Sequence, residues 1–154
     1  MTRNPKFHLN IAFGEALERY RDARRDSPDD PAAMRGEARA LLKLGQAAQA
    51  LPMVETLVLQ ASEDIETLML AAAVRAAAGD LAAAQAALDT ARRVAPMRAD
   101  IHQQMGDIAR RLGDLEGAIL AYRNALSLDP QFAGVRFELA RLLIEKQQLP
   151  EAER

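Results

Sequence analysis

The amino-acid sequence predicts an all-α fold built from stacked pairs of antiparallel helices. Three glycines, Gly45, Gly79 and Gly113, are equally spaced at about 34 residues, and a fixed period of this size is typical of repeated helical pairs. The chain is 49% hydrophobic but only 4% aromatic, which suits packing between alanine- and leucine-rich helices. No segment alternates apolar and polar residues over the length of a strand, so no pattern favours a β-sheet.

The period divides the 154-residue chain into three full rows, 31–64, 65–98 and 99–132, and a partial row, 133–154. Positions one period apart form columns of similar residues. A bulky residue in such a column would overpack two closely approaching helices at a cost of about 1–3 kcal/mol, which explains a column of alanines. That column contains Ala16, Ala50, Ala84, Ala118 and Ala152, and a bulky column contains Tyr20, Val54, Leu88 and Tyr122.

The first helix is predicted from Ile11 to Arg25. Residues 1–10 contain few packing residues, so we expect a flexible N-terminus there. In the segment that follows, Ala16, Tyr20 and Ala23 stand in the columns of the second helix of each pair. We therefore predict a lone helix of the second type ahead of the first complete pair, and a single repeat domain over residues 11–154.

Three complete pairs are predicted next, at 31–44 with 47–61, 65–78 with 81–95, and 99–112 with 115–129. Each turn glycine is expected just past the end of a first helix, where the chain needs positive φ. Asp80 and Asp114 directly follow two of these glycines and can cap the next helix. Asp30 and Asp64 mark the starts of first helices. Pro130 closes a second helix because proline cannot donate the next backbone bond.

The end of the chain and one proline break this regular pattern. A further first helix is predicted over 133–146, and Pro150 is expected to open its partner helix. Either the chain is the front part of a longer protein, or another copy covers the open end. Pro52 lies inside a predicted second helix, where proline costs about 3 kcal/mol, so we expect a kink or a late helix start.

The row ADIHQQMGDIARRLGDLEGAILAYRNALSLDPQF resembles the tetratricopeptide repeat, a helical repeat of about this length. Gly106, Ala118, Tyr122, Ala125 and Pro130 match the small, aromatic and proline positions of that family. The resemblance covers residues 11–154. It implies a right-handed α-solenoid of antiparallel helix pairs and says little about activity, because unrelated functions share this scaffold.

The resemblance also implies that the first helices of successive pairs line a concave groove that binds a peptide or a partner protein. We predict three cations on one side of a helix, with no acid interleaved on that side, in the first row, an apolar floor in the second and mixed charges beyond it. An acidic peptide with an apolar segment would fit this groove, although the arginines could equally form a solvated face. The predicted groove residues are Arg35, Arg39, Lys43, Met69, Ala73, Ala76, Gln103, Asp107, Arg110, Arg111, Phe137 and Arg141.

Several classes of function are disfavoured by the composition. The net charge of −2 provides no field for nucleic acid, and no apolar run approaches the roughly 20 residues needed to cross a bilayer. The chain has no cysteine, and its two histidines, His8 and His102, are far apart, so we expect no metal, cofactor or catalytic residue. The start MTRNPKFHLN lacks the apolar run of a signal peptide, which favours the cytoplasm, although a removed signal would leave the same sequence.

Three hypotheses of function remain. The first is a non-catalytic scaffold that binds a peptide or a partner protein. The second is an N-terminal targeting or substrate-presenting region of a larger bacterial enzyme, such as a glycosyltransferase or a sulfotransferase, or of a secretion component. The third is a self-assembling scaffold that forms homo-oligomers through its uncapped C-terminal end.

Overall fold

The computed structural model describes residues 5–152, and the side chains of residues 8–147. Within this range every regular element is an α-helix and no strand occurs, which confirms the all-α fold. The helices are α1 (Pro5–Asp26), α2 (Pro31–Lys43), α3 (Ala47–Gln60), α4 (Ile65–Ala77), α5 (Leu81–Val94), α6 (Ala99–Arg111), α7 (Leu115–Leu128) and α8 (Ala133–Ala152).

The turns between paired helices depend on the three glycines of the period. Gly45, Gly79 and Gly113 have φ values of 75°, 98° and 81°, and no other described residue has positive φ. Each glycine lies two residues beyond the last residue of α2, α4 or α6. A side chain is strained in this backbone region, so glycine ends one helix and lets the next begin at once.

Aspartates cap the helices that the sequence assigned to them. The Asp30 carboxylate accepts a hydrogen bond from the backbone N–H of Ala33 at 2.9 Å, at the start of α2. Asp80 does the same for Ala83 at 2.9 Å, and Asp114 for Gly117 at 2.8 Å. Each cap satisfies a helix N–H that has no partner inside the helix, which is worth about 1 kcal/mol.

The first helix is longer than predicted. It begins at Pro5 rather than Ile11, so residues 5–10, expected to be a flexible terminus, are helical. Proline suits the first position of a helix because its ring presets φ and its missing N–H is not needed there. Residues 1–4 of the expected flexible segment lie outside the described residues.

One expectation about a proline is wrong, and one of the two alternatives for another is ruled out. α8 continues through Pro150 to Ala152 as one helix, without the predicted break. The reason is that Gln147 stands in the column of the turn glycines, and glutamine does not readily adopt the positive φ of the turn. α3 begins at Ala47 and includes Pro52, so the late start considered for that helix does not occur.

The helices form two compact units, Met1–Ala87 and Leu88–Arg154. In the first unit, α2 packs against α1, α3 and α4, and α3 packs against α4. In the second unit, α7 packs against both α6 and α8. The buried core of the first unit contains Leu17, Ala38, Ala40, Leu41, Ala50, Val54, Leu70, Ala71 and Val74. The buried core of the second unit contains Ala118, Ile119, Tyr122, Ala125, Val135 and Leu142.

Candidate partner-binding site

Two of the cations predicted on α2 have acidic neighbours. Arg35 Nη1 lies 3.1 Å from Asp64 Oδ2 at the start of α4. Arg39 Nη2 lies 3.3 Å from Glu66 Oε2 in the first turn of α4. Of the three, only Lys43 is exposed without an ion pair among the described residues. No acid is interleaved with these cations on their side of α2, but carboxylates 27 and 29 residues away in sequence reach Arg39 and Arg35.

Asp64 has a structural role that also engages Arg35. Its Oδ2 accepts hydrogen bonds from the Thr67 hydroxyl at 2.5 Å and from the Thr67 backbone N–H at 3.0 Å. The Thr67 hydroxyl, more than Arg35, holds the pKa of Asp64 below its usual range. Because an ionised Asp64 caps α4 and pairs with Arg35, a ligand that recruits Arg35 must compete with a contact inside the first unit.

The apolar floor predicted on α4 lies mostly inside the first unit. Met69 is only 8% exposed, and Ala76 is buried as well. Ala73 is half-buried. Met69 and Ala76 therefore shape the surface from beneath and offer little area for direct contact with a ligand.

The α6 residues of the predicted site surround a hydrogen bond to α7. The Tyr122 hydroxyl donates to Asp107 Oδ1 at 2.5 Å, and Tyr122 is fully buried. Gln103 and Arg110 are half-buried, and Arg111 is exposed. The Nε of Arg110 is buried and has no hydrogen-bond partner among the described residues. An unsatisfied buried donor is costly, and this N–H can reach an acceptor from a ligand only if the Arg110 side chain moves.

Burial raises the pKa of Asp107, and this effect exceeds the opposing effects of the Tyr122 hydroxyl and of Arg110. The pKa of Tyr122 is also raised, first by its own burial and then by the hydrogen bond to Asp107. A carboxyl whose pKa is higher in the folded state stabilises the fold at acidic pH. That contribution is lost as the pH rises from its unfolded pKa through its folded pKa.

The Asp107→Asn variant is expected to gain stability relative to the wild type as the pH rises. Asparagine keeps an acceptor for Tyr122 but removes the cost of ionising a half-buried carboxyl. The variant's free energy of unfolding, relative to wild type, should increase from below the usual carboxyl pKa of 3.8 through the raised pKa of Asp107, then level off. Urea titrations at several pH values measure this, with the exposed Asp26→Asn as control. A difference that is constant with pH contradicts the assignment.

α8 presents the most exposed apolar side chain of the predicted site, together with an exposed apolar residue outside that set. Phe137 is 68% exposed, and Ile144, seven residues later on the same face, is 56% exposed. Arg141 lies between them in sequence and pairs with Glu138, with Arg141 Nη2 2.6 Å from Glu138 Oε2. Among the first helices of the pairs, α8 therefore offers an open apolar surface that α2 and α4 do not.

One buried charged residue was not predicted from the sequence. Glu37 on α2 is buried, and its Oε2 lies 2.6 Å from Arg24 Nη1 on α1. Its Oε1 lies 3.4 Å from Arg21 Nε. The signal was present, because Glu37 stands in a column whose other members are Ala71, Met105 and Leu139. This cluster attaches α1 to α2, with its carboxylate buried and its two arginines partly exposed.

No other described group suggests chemistry. Within residues 8–147, no three His, Asp or Glu side chains are placed to hold a metal ion. The half-buried His102 Nε2 lies 3.2 Å from the carbonyl oxygen of Pro96, which accounts for that ring. Among the described helices, none has the length and apolar character needed to cross a bilayer.

Comparison with known proteins places these features in context. Two sequence models of the tetratricopeptide repeat match the chain, one over residues 12–74 and 109–154 and the other over residues 69–131. A thermophilic tetratricopeptide repeat protein of Thermus thermophilus has a similar structure, with a TM-score of 0.78 and 28% identity. The match covers 96% of this chain and 84% of the Thermus protein.

Two other proteins are also similar to this chain. YrrB, described as a tetratricopeptide repeat protein with an unusual peptide-binding site, has a TM-score of 0.75 at 20% identity. It matches 86% of this chain and 68% of its own. Cellulose synthase operon protein C of Pseudomonas fluorescens is 28% identical over 140 residues, or 91% of this chain. The chain spans only 9% of the length of that protein.

Proposed function

Because the chain belongs to the tetratricopeptide repeat family, we propose that it is a non-catalytic scaffold that binds a peptide or a partner protein. Within each unit taken by itself, the proposed contact surface is the exposed side of its first helices. The observation that carries the proposal is the open face of α8, where Phe137 and Ile144 have no apolar cover among the described residues. Large exposed apolar side chains next to polar groups are typical of interaction sites.

The residues proposed from the repeat phase have different roles in this surface. In the second unit, the proposed contacts are exposed or half-buried: Phe137 and Arg141 on α8, and Gln103, Asp107, Arg110 and Arg111 on α6. In the first unit we propose Arg39 and Lys43 as contacts. We assign Arg35, Met69, Ala73 and Ala76 to supporting positions, because burial or an ion pair already engages them.

We further propose a partner with an apolar segment and acidic residues beside it. On α4 and α6, the carboxylates Asp64, Glu66 and Asp107 are paired with donors of the chain. In contrast, Lys43 on α2 and Arg111 on α6 have no ion pair among the described residues. The charge available to a partner on α2, α4 and α6 is therefore positive. Exposed charge pairs contribute about 0–1 kcal/mol each, whereas burying a Phe side chain contributes about 1.5–3 kcal/mol. Phe137 should therefore supply more affinity than any single cation.

The variant Phe137→Ser with Arg111→Glu tests this surface. We expect it to weaken binding roughly tenfold to a hundredfold, since it removes one apolar anchor and reverses one charge. The probes are short peptides selected against the wild-type chain from a random library displayed on phage, and their affinities are measured by fluorescence polarisation.

A matched control carries the same changes on the second helix of the pair, as Leu120→Ser with Arg123→Glu. Both residues are exposed on α7. The control should bind as the wild type does. Failure to select any peptide, or equal loss of affinity in both variants, contradicts the proposal.

A second candidate is a repeat region that presents partners within a larger bacterial protein, such as a glycosyltransferase, a sulfotransferase or a secretion component. The match to a small part of cellulose synthase operon protein C favours it, since that protein is about eleven times as long as the match. An antibody against the chain distinguishes the two candidates in the native host. A single species at 16.8 kDa contradicts the second one. Fractionation of the same cells tests the predicted cytoplasmic location.

A further inference from the structure

The helix α1 carries the columns of a second helix, but no described helix precedes it. In the complete pairs, the residues of these columns are buried. In α1, Ala16 is half-buried, Tyr20 is 37% exposed and Ala23 is exposed. The buried members of the three columns are Ala50, Ala84 and Ala118; Val54, Leu88 and Tyr122; and Leu57, Ala91 and Ala125.

The open side of α1 forms a surface depression of about 380 Å³. Leu9 lies seven residues before Ala16 and is exposed on the same face of the helix. The Tyr20 ring lies against Gly36 of α2, and its remaining exposed part lines this depression. The face therefore carries an apolar stripe, bordered by the charged side chains of Glu15 and Arg19. The residues lining the depression are Ala12, Glu15, Ala16, Arg19 and Tyr20.

The helix α8 lacks the other member of a helix pair. It carries the columns of a first helix, and no described helix follows it. Ala140 is exposed, whereas the other members of its column, Ala38, Ala72 and Gly106, are buried. Phe137 and Ile144, three and four residues from Ala140, lie on the same face.

The pair α6 and α7 shows how two such faces pack. A Cβ atom on Gly106 would lie only 2.5 Å from the Tyr122 ring, so this ring lies directly on the α6 backbone. Tyr20 occupies the column of Tyr122, and Ala140 occupies the column of Gly106. Alanine also occurs in that column at Ala38, in a row whose bulky column holds Val54. Because the Tyr20 ring already lies on Gly36, only its exposed part would reach Ala140, without the close approach of ring to backbone that Tyr122 makes at Gly106. α8 and α1 thus carry the two halves of one pair interface.

We propose that α8 of one copy of the chain docks on α1 of a second copy and forms with it a helix pair of the repeat type. A second copy is the occupant that both faces fit, because each face lacks what the other supplies. Of the ten large apolar side chains exposed among the described residues, four lie on these two faces: Leu9, Tyr20, Phe137 and Ile144. Such a contact is heterologous, so each docked copy leaves one free α8 and one free α1, and the assembly grows head to tail.

Two single variants test this geometry together. Ala16→Glu blocks the α1 face, and Ala140→Glu blocks the α8 face, since each places a charge in the contact. Sedimentation velocity of the wild type should show an average mass that rises with concentration without reaching a plateau. Each variant alone should remain monomeric, with unchanged helicity by circular dichroism. Ala48→Glu, at an exposed alanine of α3, serves as control and should associate as the wild type does.

The mixture of the two variants is decisive. Ala16→Glu retains an intact α8, and Ala140→Glu retains an intact α1, so an equimolar mixture should form a dimer and nothing larger. A wild type that stays monomeric at every concentration overturns the proposal and indicates another occupant. A mixture that stays monomeric while the wild type associates also overturns it, because that result indicates a symmetric contact. Phe137 and Ile144 belong to both proposed surfaces, so peptide binding is measured on Ala16→Glu, which remains monomeric and keeps α8 open, and either proposal can then fail alone.

Discussion

Replacing Tyr122 by alanine is expected to lower the free energy of unfolding by about 3–5 kcal/mol. The ring is fully buried in the core of the second unit, and truncating a buried aromatic residue leaves a cavity. The change also removes the hydroxyl that donates to Asp107, so a half-buried carboxylate loses its hydrogen bond. Urea denaturation followed by far-UV circular dichroism measures the loss.

The contact between Tyr122 and Gly106 predicts that Gly106→Ala changes the free energy of unfolding in opposite directions with and without the Tyr122 ring. In the wild type, Gly106→Ala places a Cβ atom 2.5 Å from the ring, and the overpacking costs about 1–3 kcal/mol. Alanine offsets about 1 kcal/mol of this through its higher helix propensity. In a Tyr122→Leu background the clash disappears, so the same substitution should stabilise the chain by about 1 kcal/mol. A stabilising Gly106→Ala in the wild type contradicts the close approach of ring and backbone.

Removing both arginines that pair with Glu37 is expected to cost about 3–5 kcal/mol. The side chain of Glu37 is only 6% exposed, so Arg21→Met with Arg24→Met leaves a buried carboxylate without a counter-charge. The penalty is large because a buried charge without a partner cannot recover its lost hydration. The same denaturation experiment measures it.

Two controls separate this buried cluster from ordinary surface charge. Arg25→Met breaks the exposed pair of Arg25 with Asp22 and should cost about 0–1 kcal/mol. Adding Glu37→Leu to the double variant removes the buried charge as well, and an apolar replacement of a whole buried cluster is often neutral or stabilising. We therefore expect this triple variant to recover most of the lost stability. If it is no more stable than the double variant, the lost stability has another origin.

The sequence predicted the turns and the helix starts because those features depend on single residues. Glycine alone adopts positive φ at little cost, so Gly45, Gly79 and Gly113 place the turns without reference to the rest of the molecule. Asp80 and Asp114 cap helices through hydrogen bonds to residues three positions on, which is also a local matter. The same reasoning failed at Pro150, where a proline was considered without the glycine that a turn requires.

The candidate site was predicted less well, because exposure and pairing depend on neighbouring helices. The phase of the repeat selected Met69 and Phe137 as equivalent positions, two periods apart. The structure buries the first and leaves the second 68% exposed, since the helices around them differ. The phase likewise placed Arg35 and Arg39 on one face but did not indicate the carboxylates of α4 that neutralise them.

Sequence alone therefore determined the class of fold, the period of the helices and the residues that turn the chain, since these depend on backbone conformation within a few residues. The tertiary structure decided which side chains remain available to a partner. A carboxylate from the next first helix pairs with Arg35, the Tyr122 ring covers Gly106, and two arginines of α1 enclose Glu37. Such contacts join residues 13 to 29 positions apart, and only the packing of whole helices brings them within bonding distance.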